Sequence, residues 1–294
     1  MQRRQILCAL LGLLLLTLAN PVQARVRLRG WHFPKPFTMS SPMTPHRFGG
    51  MEMGLNFTDA GTGLALPLRS TVTPRKTNFA VELTLPMGIG IPESGGSKFY
   101  MGNPTVGMTG NWRFMFPFAE GHRFPAAWSV GADVGVPLAG IWGGNAATLL
   151  CFPMYAREYA AWLPNFVIRP KATLGIGKPI FFTEFELGIP GLGVTMAGAT
   201  YTVVDWGVTL GSQPHDLVSI TLEFGGAHAM HSEVSNNPFS IHPVWGALGG
   251  RFYIGDNFVT GLMMRIPFTR AFKDFGNINP GDGPSWESTF AFSI

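Results

Sequence analysis

Charged residues are scarce in this chain of 294 residues. Asp, Glu, Lys and Arg make up 13% of it, against about 25% in an average soluble domain. Hydrophobic residues make up 46%, yet beyond residue 24 no stretch approaches the ~18 consecutive apolar residues of a membrane-spanning helix. The apolar residues are therefore dispersed, and their spacing becomes the main structural signal.

Cysteine is almost absent as well. The chain has Cys8 and Cys151, and Cys8 falls in a segment with the features of a signal peptide. An exported chain that keeps Cys151 alone can form no intramolecular disulfide, so its stability needs another source. Cys151 lies in the apolar run TLLCFPMYA, where it is expected to pack as a small hydrophobic residue, because apolar surroundings disfavour the reactive thiolate.

Residues 1–24 predict a cleaved secretory signal peptide. Two arginines precede an uncharged apolar run at 6–19, and VQA at 22–24 forms an A-x-A-like cleavage site. An apolar core of this length is too short to span a bilayer comfortably, so an uncleaved anchor is the weaker alternative.

Cleavage after Ala24 can be checked by intact mass. Because the segment has all three parts of a signal peptide, protein isolated from membranes should have the mass of a chain that begins at Arg25. A mass that retains residues 1–24 would contradict export by a cleaved signal.

The dispersed apolar residues alternate with polar ones at a spacing of two. VSITLEF at 218–224, FAVELTL at 79–85 and WSVGADVGV at 128–136 all show this alternation, and so does WESTFAFSI, which ends the chain. Because successive side chains of a strand point to opposite faces, the spacing predicts β-strands rather than helices.

Breakers containing Gly, Pro and Asn divide these regions into strands of about ten residues. Single-chain bacterial barrels have even strand numbers, so one of the thirteen candidates must be wrong, and 63–72 and 165–189 are the weakest. We predict an all-β fold, a transmembrane antiparallel up-and-down β-barrel of twelve strands over residues 49–294. The candidate strands are 49–58, 63–72, 77–87, 104–116, 126–138, 147–159, 165–177, 180–189, 199–211, 216–225, 240–254, 257–267 and 286–294.

A secreted β-sandwich is the competing architecture, with its polar face in water and its apolar face in a core. Two features favour the barrel. The polar face is rich in glycine and small residues, which suit a crowded lumen wall. The apolar face is aromatic near strand ends, as in the interface girdles of membrane barrels. These aromatic residues are Trp112, Phe116, Trp128, Trp206 and Trp286.

The last strand, 286–294, resembles the carboxy-terminal strand of bacterial outer-membrane β-barrel proteins. That strand alternates in the same way and ends in an aromatic residue read by the barrel assembly machinery. Phe290 and Phe292 fit, whereas Ile294 replaces the terminal aromatic residue. The segment GNPTVGMTGNWRF at 102–114 is similar to segments of the phenol-degradation-pathway barrel family. The resemblance implies a bacterial outer-membrane location, with outer-membrane lipid and the assembly machinery as partners.

No stretch of the sequence predicts catalysis, a metal or a cofactor. The densest cluster of candidate ligands is AHAMHSE at 227–233. Its histidines are three residues apart, which is neither the i,i+4 spacing of a helical metal-binding pair nor a same-face pair on a strand, so a polar loop is expected there. GLGVTMAG and GIGIPESGG are followed by no helix, so they do not predict a phosphate-binding loop.

Thirteen charged residues fall on the faces opposite the apolar ones. In lipid, an Arg or Lys near the midplane would cost ~2–4 kcal/mol, whereas a lumen can hydrate or pair it. The predicted lumen-lining residues are Glu52, Glu82, Arg113, Asp133, Arg169, Lys171, Glu184, Glu186, Asp205, Glu223, Arg251, Arg265 and Glu287.

Positive charge is concentrated in residues 25–48, which we call the basic leader. It contains Arg25, Arg27, Arg29, Lys35 and Arg47, four prolines and no acid. Two interpretations stay open: a solvated tail on the periplasmic side, or a plug attracted to a lumen with eight acidic and five basic residues. After loss of Arg3 and Arg4 the chain has 19 basic and 17 acidic residues, so nucleic acid is not an expected partner.

The expected function is passive or selective passage of a small solute across the outer membrane. The alternative is a closed structural barrel whose lumen is filled by side chains. An outer-membrane barrel enzyme that acts on lipid is the third hypothesis.

Overall fold

The computed structural model describes residues 50–58, 61–66, 68–72, 77–93, 96–119, 122–139, 165–195, 198, 200–233, 244–254, 258–268 and 285–292. Nearly all of these residues lie in antiparallel strands. Within these ranges, no helix has the length and apolarity needed to cross a membrane. The strands are β1 (Gly50–Thr58), β2 (Gly61–Ala65), β3 (Leu68–Val72), β4 (Phe79–Leu85), β5 (Met87–Pro92), β6 (Lys98–Met101), β7 (Thr105–Ala119), β8 (His122–Gly135), β9 (Asn165–Lys178), β10 (Phe181–Thr195), β11 (Thr200–His215), β12 (Val218–Ser232), β13 (Val244–Ile254), β14 (Phe258–Pro267) and β15 (Ser285–Phe292).

Three pairs of consecutive strands each act as one crossing of the sheet. The pairs are β2 with β3, β4 with β5, and β6 with β7. Both β2 and β3 pair with β1. On the next crossing β5 pairs with β2 and β4 pairs with β3. On the crossing after that, β6 pairs with β5 and β7 pairs with β4. Two of the breaks contain a described proline, Pro86 or Pro104, which cannot donate a ladder hydrogen bond. Counted this way, the fifteen described strands make twelve crossings, consistent with the predicted number.

The described strands pair in a closed cycle. β15 bonds to β14 on one side and to β1 on the other, in a register from Met51↔Phe292 to Phe57↔Trp286. The last strand therefore occupies the position that the sequence predicted for it, between its neighbour in sequence and the first strand. Closure leaves neither β1 nor β15 as a free edge.

The connections between crossings differ in length at the two ends of the cycle. At one end they cover 73–78, 120–121, 179–180, 216–217 and 255–257, and at the other they include the long segments 136–164, 233–243 and 268–284. We call these the short-connection and long-connection ends. β1 begins and β15 finishes at the short-connection end, as in outer-membrane barrels, which have short periplasmic turns.

The structure changes several predicted strand boundaries. The candidate strand at 147–159 lies outside the described residues, and β8 pairs directly with β9 from Gly135↔Val167 to Ala126↔Ile176. Both segments regarded as weak contain strands, and 165–189 holds β9 and β10 on either side of a turn at 179–180. The predicted end of the strand 180–189 is wrong, because β10 continues through GIPGLG at 188–193 by a register shift between Gly188 and Leu192.

The burial of the two strand faces is the reverse of that in a water-soluble protein: the apolar face is exposed and the polar face is buried. On β10, Glu184 is 0% exposed and Glu186 5%, while Phe185 and Leu187 between them are 46% and 50% exposed. In a β-sandwich the apolar face would be the buried one. Exposed apolar and buried charged side chains on alternate positions are instead what a barrel surrounded by lipid requires.

Aromatic side chains strengthen the outward apolar band. The rings of Trp112 on β7 and Trp128 on β8 stack with centroids 4.3 Å apart, and both indoles are exposed. Phe116 and Trp206 are exposed too, as the girdle prediction requires. The side chain of Trp286 lies outside the described part of the structure.

Candidate functional site

Five charged side chains meet on the inner face of β8 to β11, and we call them the Arg169 network. Arg169 Nε donates to Asp205 Oδ2 at 2.8 Å, and Nη2 donates to Asp205 Oδ1 and to Glu186 Oε1. Its Nη1 reaches Asp133 Oδ2 at 3.5 Å. Lys171 Nζ donates to both Asp133 carboxylate oxygens, at 2.8 and 2.7 Å. The network therefore joins four adjacent strands through charge-assisted hydrogen bonds.

Glycine makes the central contact possible. Asp205 on β11 pairs with Gly188 on β10, and Gly188 pairs with Lys171 on β9, so the Asp205 carboxylate reaches Arg169 across β10. A Cβ atom at position 188 would lie 2.3 Å from Asp205 Oδ2. Gly107 on β7 similarly leaves room for Asp133, whose Oδ1 would lie 2.8 Å from an added Cβ. Any side chain at Gly188 would displace the carboxylate.

The network is largely withdrawn from water. Arg169, Glu186 and Asp205 are 4%, 5% and 6% exposed. Burying such charges costs several kcal/mol per ion unless partners with good geometry compensate, and here every member has one. Three carboxylates and two cations leave this part of the wall with a net negative charge.

A second inner-face feature, which we call the acid row, crosses β10, β11 and β12. Thr209 pairs with Glu184 on one side and with Glu223 on the other. Glu184 and Thr209 are 0% exposed and Glu223 is 1% exposed. Thr221, two residues from Glu223, is equally buried, and the Oγ1 atoms of Thr209 and Thr221 make no hydrogen bond within the described part of the chain.

The structure does not bring all the predicted lumen residues together. Glu82 on β4 accepts a hydrogen bond from Thr84 Oγ1 at 3.2 Å. Arg251 is 4% exposed on the inner face of β13, and Arg265 is half-buried on β14. Arg113 is exposed, in a part of β7 where residues 112–117 are all exposed, although it pairs with the buried Ala127 on β8.

Some predicted residues have a register position but no described side chain. Glu52 pairs with Ala291, and Glu287 pairs with the buried inner-face residue Met263. Of the assembly-signal residues, Phe290 pairs with Met53 and Thr260, and Phe292 pairs with Met51 and Phe258. Ile294 lies outside the described residues.

The predicted lumen-lining residues were chosen by charge, so the list omitted the uncharged polar residues on the same strand faces. Ser129 and Thr173 hydrogen-bond to each other on β8 and β9, and Thr209 and Thr221 flank the glutamates of the acid row. A selection by charge does not include these residues. Their alternate positions along the strands place them on the same face as Asp133 and Glu223. Gly188 could not have been found, because its close contact depends on register between strands.

The stretch AHAMHSE forms no metal site in the described residues, which contain no group of three or more His, Cys, Asp and Glu able to hold a metal ion. β12 extends through Ser232, so the predicted loop is mostly strand. Glu233, just beyond it, accepts hydrogen bonds from Thr200 N at 2.9 Å and Thr200 Oγ1 at 2.8 Å. These bonds lower the pKa of the Glu233 carboxyl below its ordinary value.

No protein-family model matches the chain, and no curated protein matches its sequence. Solved structures do match its fold. An outer-membrane channel from Pseudomonas putida F1 has 10% identity and a TM-score of 0.51, over 89% of this chain and all of that one. The NanC porin has 5% identity and a TM-score of 0.49 over 84% of this chain and all of that one, and the KdgM porin 6% and 0.45 over 83% and 99%.

This chain has the fold of an outer-membrane β-barrel. The prediction made from strand alternation and the carboxy-terminal strand is thereby confirmed. In outer-membrane barrels the short turns face the periplasm and the longer loops face outward. The Arg169 network lies on the inner face of the closed cycle, and Asp133 lies two residues before the end of β8 at the long-connection end.

Proposed function

We propose that the protein is an outer-membrane channel for the passive or selective passage of small molecules. The observation that carries the proposal is the charged inner wall, where the Arg169 network and the acid row are buried opposite lipid-facing apolar residues. A barrel that serves only as an anchor needs no such wall, because well-packed hydrophobic residues in place of buried ion pairs are neutral or stabilising by about 1–4 kcal/mol. A polar lumen supports transport.

The described wall also favours one sign of solute charge. The Arg169 network is net negative, and Glu184 and Glu223 add two carboxylates beside it. In a narrow passage with low-dielectric walls such charges concentrate counterions. We therefore propose that cations pass more readily than anions.

A closed structural barrel is the second candidate. The observation that favours it is the complete burial of Glu184 and Thr209, both 0% exposed, since a wall that touches no water lines no open path at that level.

An enzymatic role draws no support from the His-containing stretch, because its acid, Glu233, is hydrogen-bonded to Thr200. We propose that no cofactor takes part, and that the partners are outer-membrane lipid, the assembly machinery and a small solute.

Single-channel recording tests the proposal. Two refolded forms are compared in planar bilayers, one beginning at Arg25 and one beginning at residue 49. A channel should give discrete conductance steps, with a reversal potential in a salt gradient that indicates cation preference. The step should be larger without the basic leader if that segment narrows the lumen, and raised salt should reduce the difference by screening the attraction that holds it.

Absence of conductance in both forms, with folding shown by heat-modifiable gel migration, would contradict the channel and favour the closed barrel. Anion preference in the form that lacks the leader would contradict the proposed role of the wall carboxylates.

A further inference from the structure

We propose that Phe182 is the gating residue of the channel. With Thr221 and Met263 it forms what we call the apolar belt, a part of the inner face that excludes water. The ring of Phe182 must leave this belt before a solute can pass. The inference deepens the proposed channel function and rests on it.

Phe182 is a large apolar side chain on the face that carries the buried charges. It lies two residues before Glu184 on β10, and alternate residues of a strand share a face. Phe182 is 0% exposed, whereas Phe181 on the opposite face is 62% exposed. A phenyl ring beside an open, water-filled passage would keep part of its surface in contact with water. Complete burial therefore means that no water path runs beside Phe182 in this structure.

Glycines on both neighbouring strands make room for the ring. Phe182 pairs with Gly211 on β11 and with Gly177 on β9. A Cβ atom at Gly211 would lie 2.1 Å from Cζ of Phe182, so the ring fills the space of the missing side chain. At Gly177, whose φ is +136°, an added Cβ would lie 2.5 Å from Cα of Phe182. Beyond Gly177, the buried Ala127 on β8 packs against the phenylalanine.

One row of paired residues continues the apolar belt across the sheet. Gly211 pairs with Thr221 on β12. Thr221 pairs in turn with Gly249 on β13, which pairs with Met263 on β14. Thr221 and Met263 are each 1% exposed, and Oγ1 of Thr221 makes no hydrogen bond within the described residues. Apart from that hydroxyl, the row is apolar and out of contact with water.

The apolar belt is the part of the described wall that moves at the least cost. Displacing Arg169 would leave Asp205 and Glu186 buried without their shared partner, which is strongly destabilising. Phe182 is surrounded by side chains and backbone that make non-directional apolar contacts with it. Rotamers with χ1 of about 180° and about −60° are both common in strands, and the paired glycines present no side chain to obstruct a change between them.

A gate at Phe182 reconciles two observations that point to different functions. The charged inner wall favours transport, whereas the complete burial of Glu184 and Thr209 favours a closed barrel. Phe182 lies two residues from Glu184, and its partner Gly211 lies two residues from Thr209. Because hydrophobic constrictions gate channels by excluding water, displacement of this ring would bring water to the charged wall beside it.

Thiol accessibility tests the apolar belt without requiring conduction. In the full mature chain, Cys151→Ser removes the native thiol and Thr221→Cys places a probe within the belt. The rate of modification by a small charged methanethiosulfonate is measured by intact mass on refolded protein in detergent. The probe is then combined with Phe182→Ala or Phe182→Leu, and with Phe181→Ala as the matched control on the opposite face.

We expect the thiol at position 221 to react about tenfold or more faster in Phe182→Ala than with Phe182 in place, because a buried thiol is inert and an accessible one reacts. Phe182→Leu should give a smaller rise and Phe181→Ala none. Heat-modifiable migration shows which variants have folded, and the leucine variant decides if the alanine variant does not fold. Unchanged rates in the Phe182 variants, or an equal rise in Phe181→Ala, would overturn the apolar belt.

Single-channel recording of the same variants tests whether the apolar belt is a gate. Phe182→Ala should raise the open probability several-fold above that of the parent, and Phe181→Ala should leave it unchanged. Conduction by the parent with no change in Phe182→Ala would overturn the gate and leave the channel in place. Absence of conductance in every form, with raised thiol reactivity, would contradict the channel and with it the gate.

Discussion

Deletion of residues 286–294 should abolish the folded barrel. β15 contributes eight register pairs with β14 and seven with β1, so its loss removes two ladders and exposes two strand edges. In the hydrocarbon region each unsatisfied backbone group costs several kcal/mol, and no other described strand lies between β14 and β1. Heat-modifiable migration on a gel, with and without boiling, should show only the unfolded form.

A pair of point variants separates closure from the assembly signal. Phe292→Asp places a charge at the position of the last strand that pairs with Met51 and Phe258, whereas Phe292→Leu keeps the site apolar. We expect the aspartate variant to assemble poorly and the leucine variant to assemble nearly as well as the parent. Unchanged migration in the deletion would show that β15 does not close the barrel, and equal assembly of the two point variants would remove Phe292 from the signal.

Replacement of Arg169 by methionine should be the most damaging single change within the wall. The substitution keeps an unbranched side chain but leaves Asp205 and Glu186 buried without their shared guanidinium group. Removing one partner of a buried ion pair costs about 3–5 kcal/mol. The free energy of unfolding, followed by tryptophan fluorescence in urea after refolding, should fall by that amount, or the variant should fail to refold.

A compensated variant shows whether the loss is electrostatic. Arg169→Met combined with Glu186→Gln and Asp205→Asn leaves Asp133 with Lys171 and removes the charges left without a partner, so it should recover most of the stability.

Gly188→Ala should be destabilising because its Cβ would lie 2.3 Å from Asp205 Oδ2, whereas Gly96→Ala meets nothing within 4 Å. Equal stability of the two alanine variants, or no recovery in the compensated one, would contradict the account of the network.

The prolines interrupt strand pairing through a local property, the lack of a backbone N–H. Pro86 and Pro104 interrupt two neighbouring crossings, because neither can donate a ladder hydrogen bond. The ladder continues past both breaks, where Leu66 N donates to Met87 O at 2.7 Å and Gly102 N donates to Pro86 O at 2.8 Å. The sequence predicted the crossings but could not show that each would resume beyond its proline.

The alternation of residues by itself determined the faces of this protein. Glu184 and Glu186 were assigned to the inner face, and they are buried while Phe185 and Leu187 are exposed. Such assignments need only the strand period of two, which is local. The same period and the aromatic last strand predicted an outer-membrane barrel, and β15 does pair with β1.

Only the tertiary structure decided which inner-face residues meet. Asp205 reaches Arg169 because Asp205 pairs with Gly188 and because β10 contains a bulge. Asp133 reaches the same arginine because β8 pairs directly with β9. These are relations between strands distant in sequence, and register shifts such as bulges leave the period within each strand unchanged. The sequence therefore determined which residues share a strand face, and the register between strands brought five charged residues of one face together in the network.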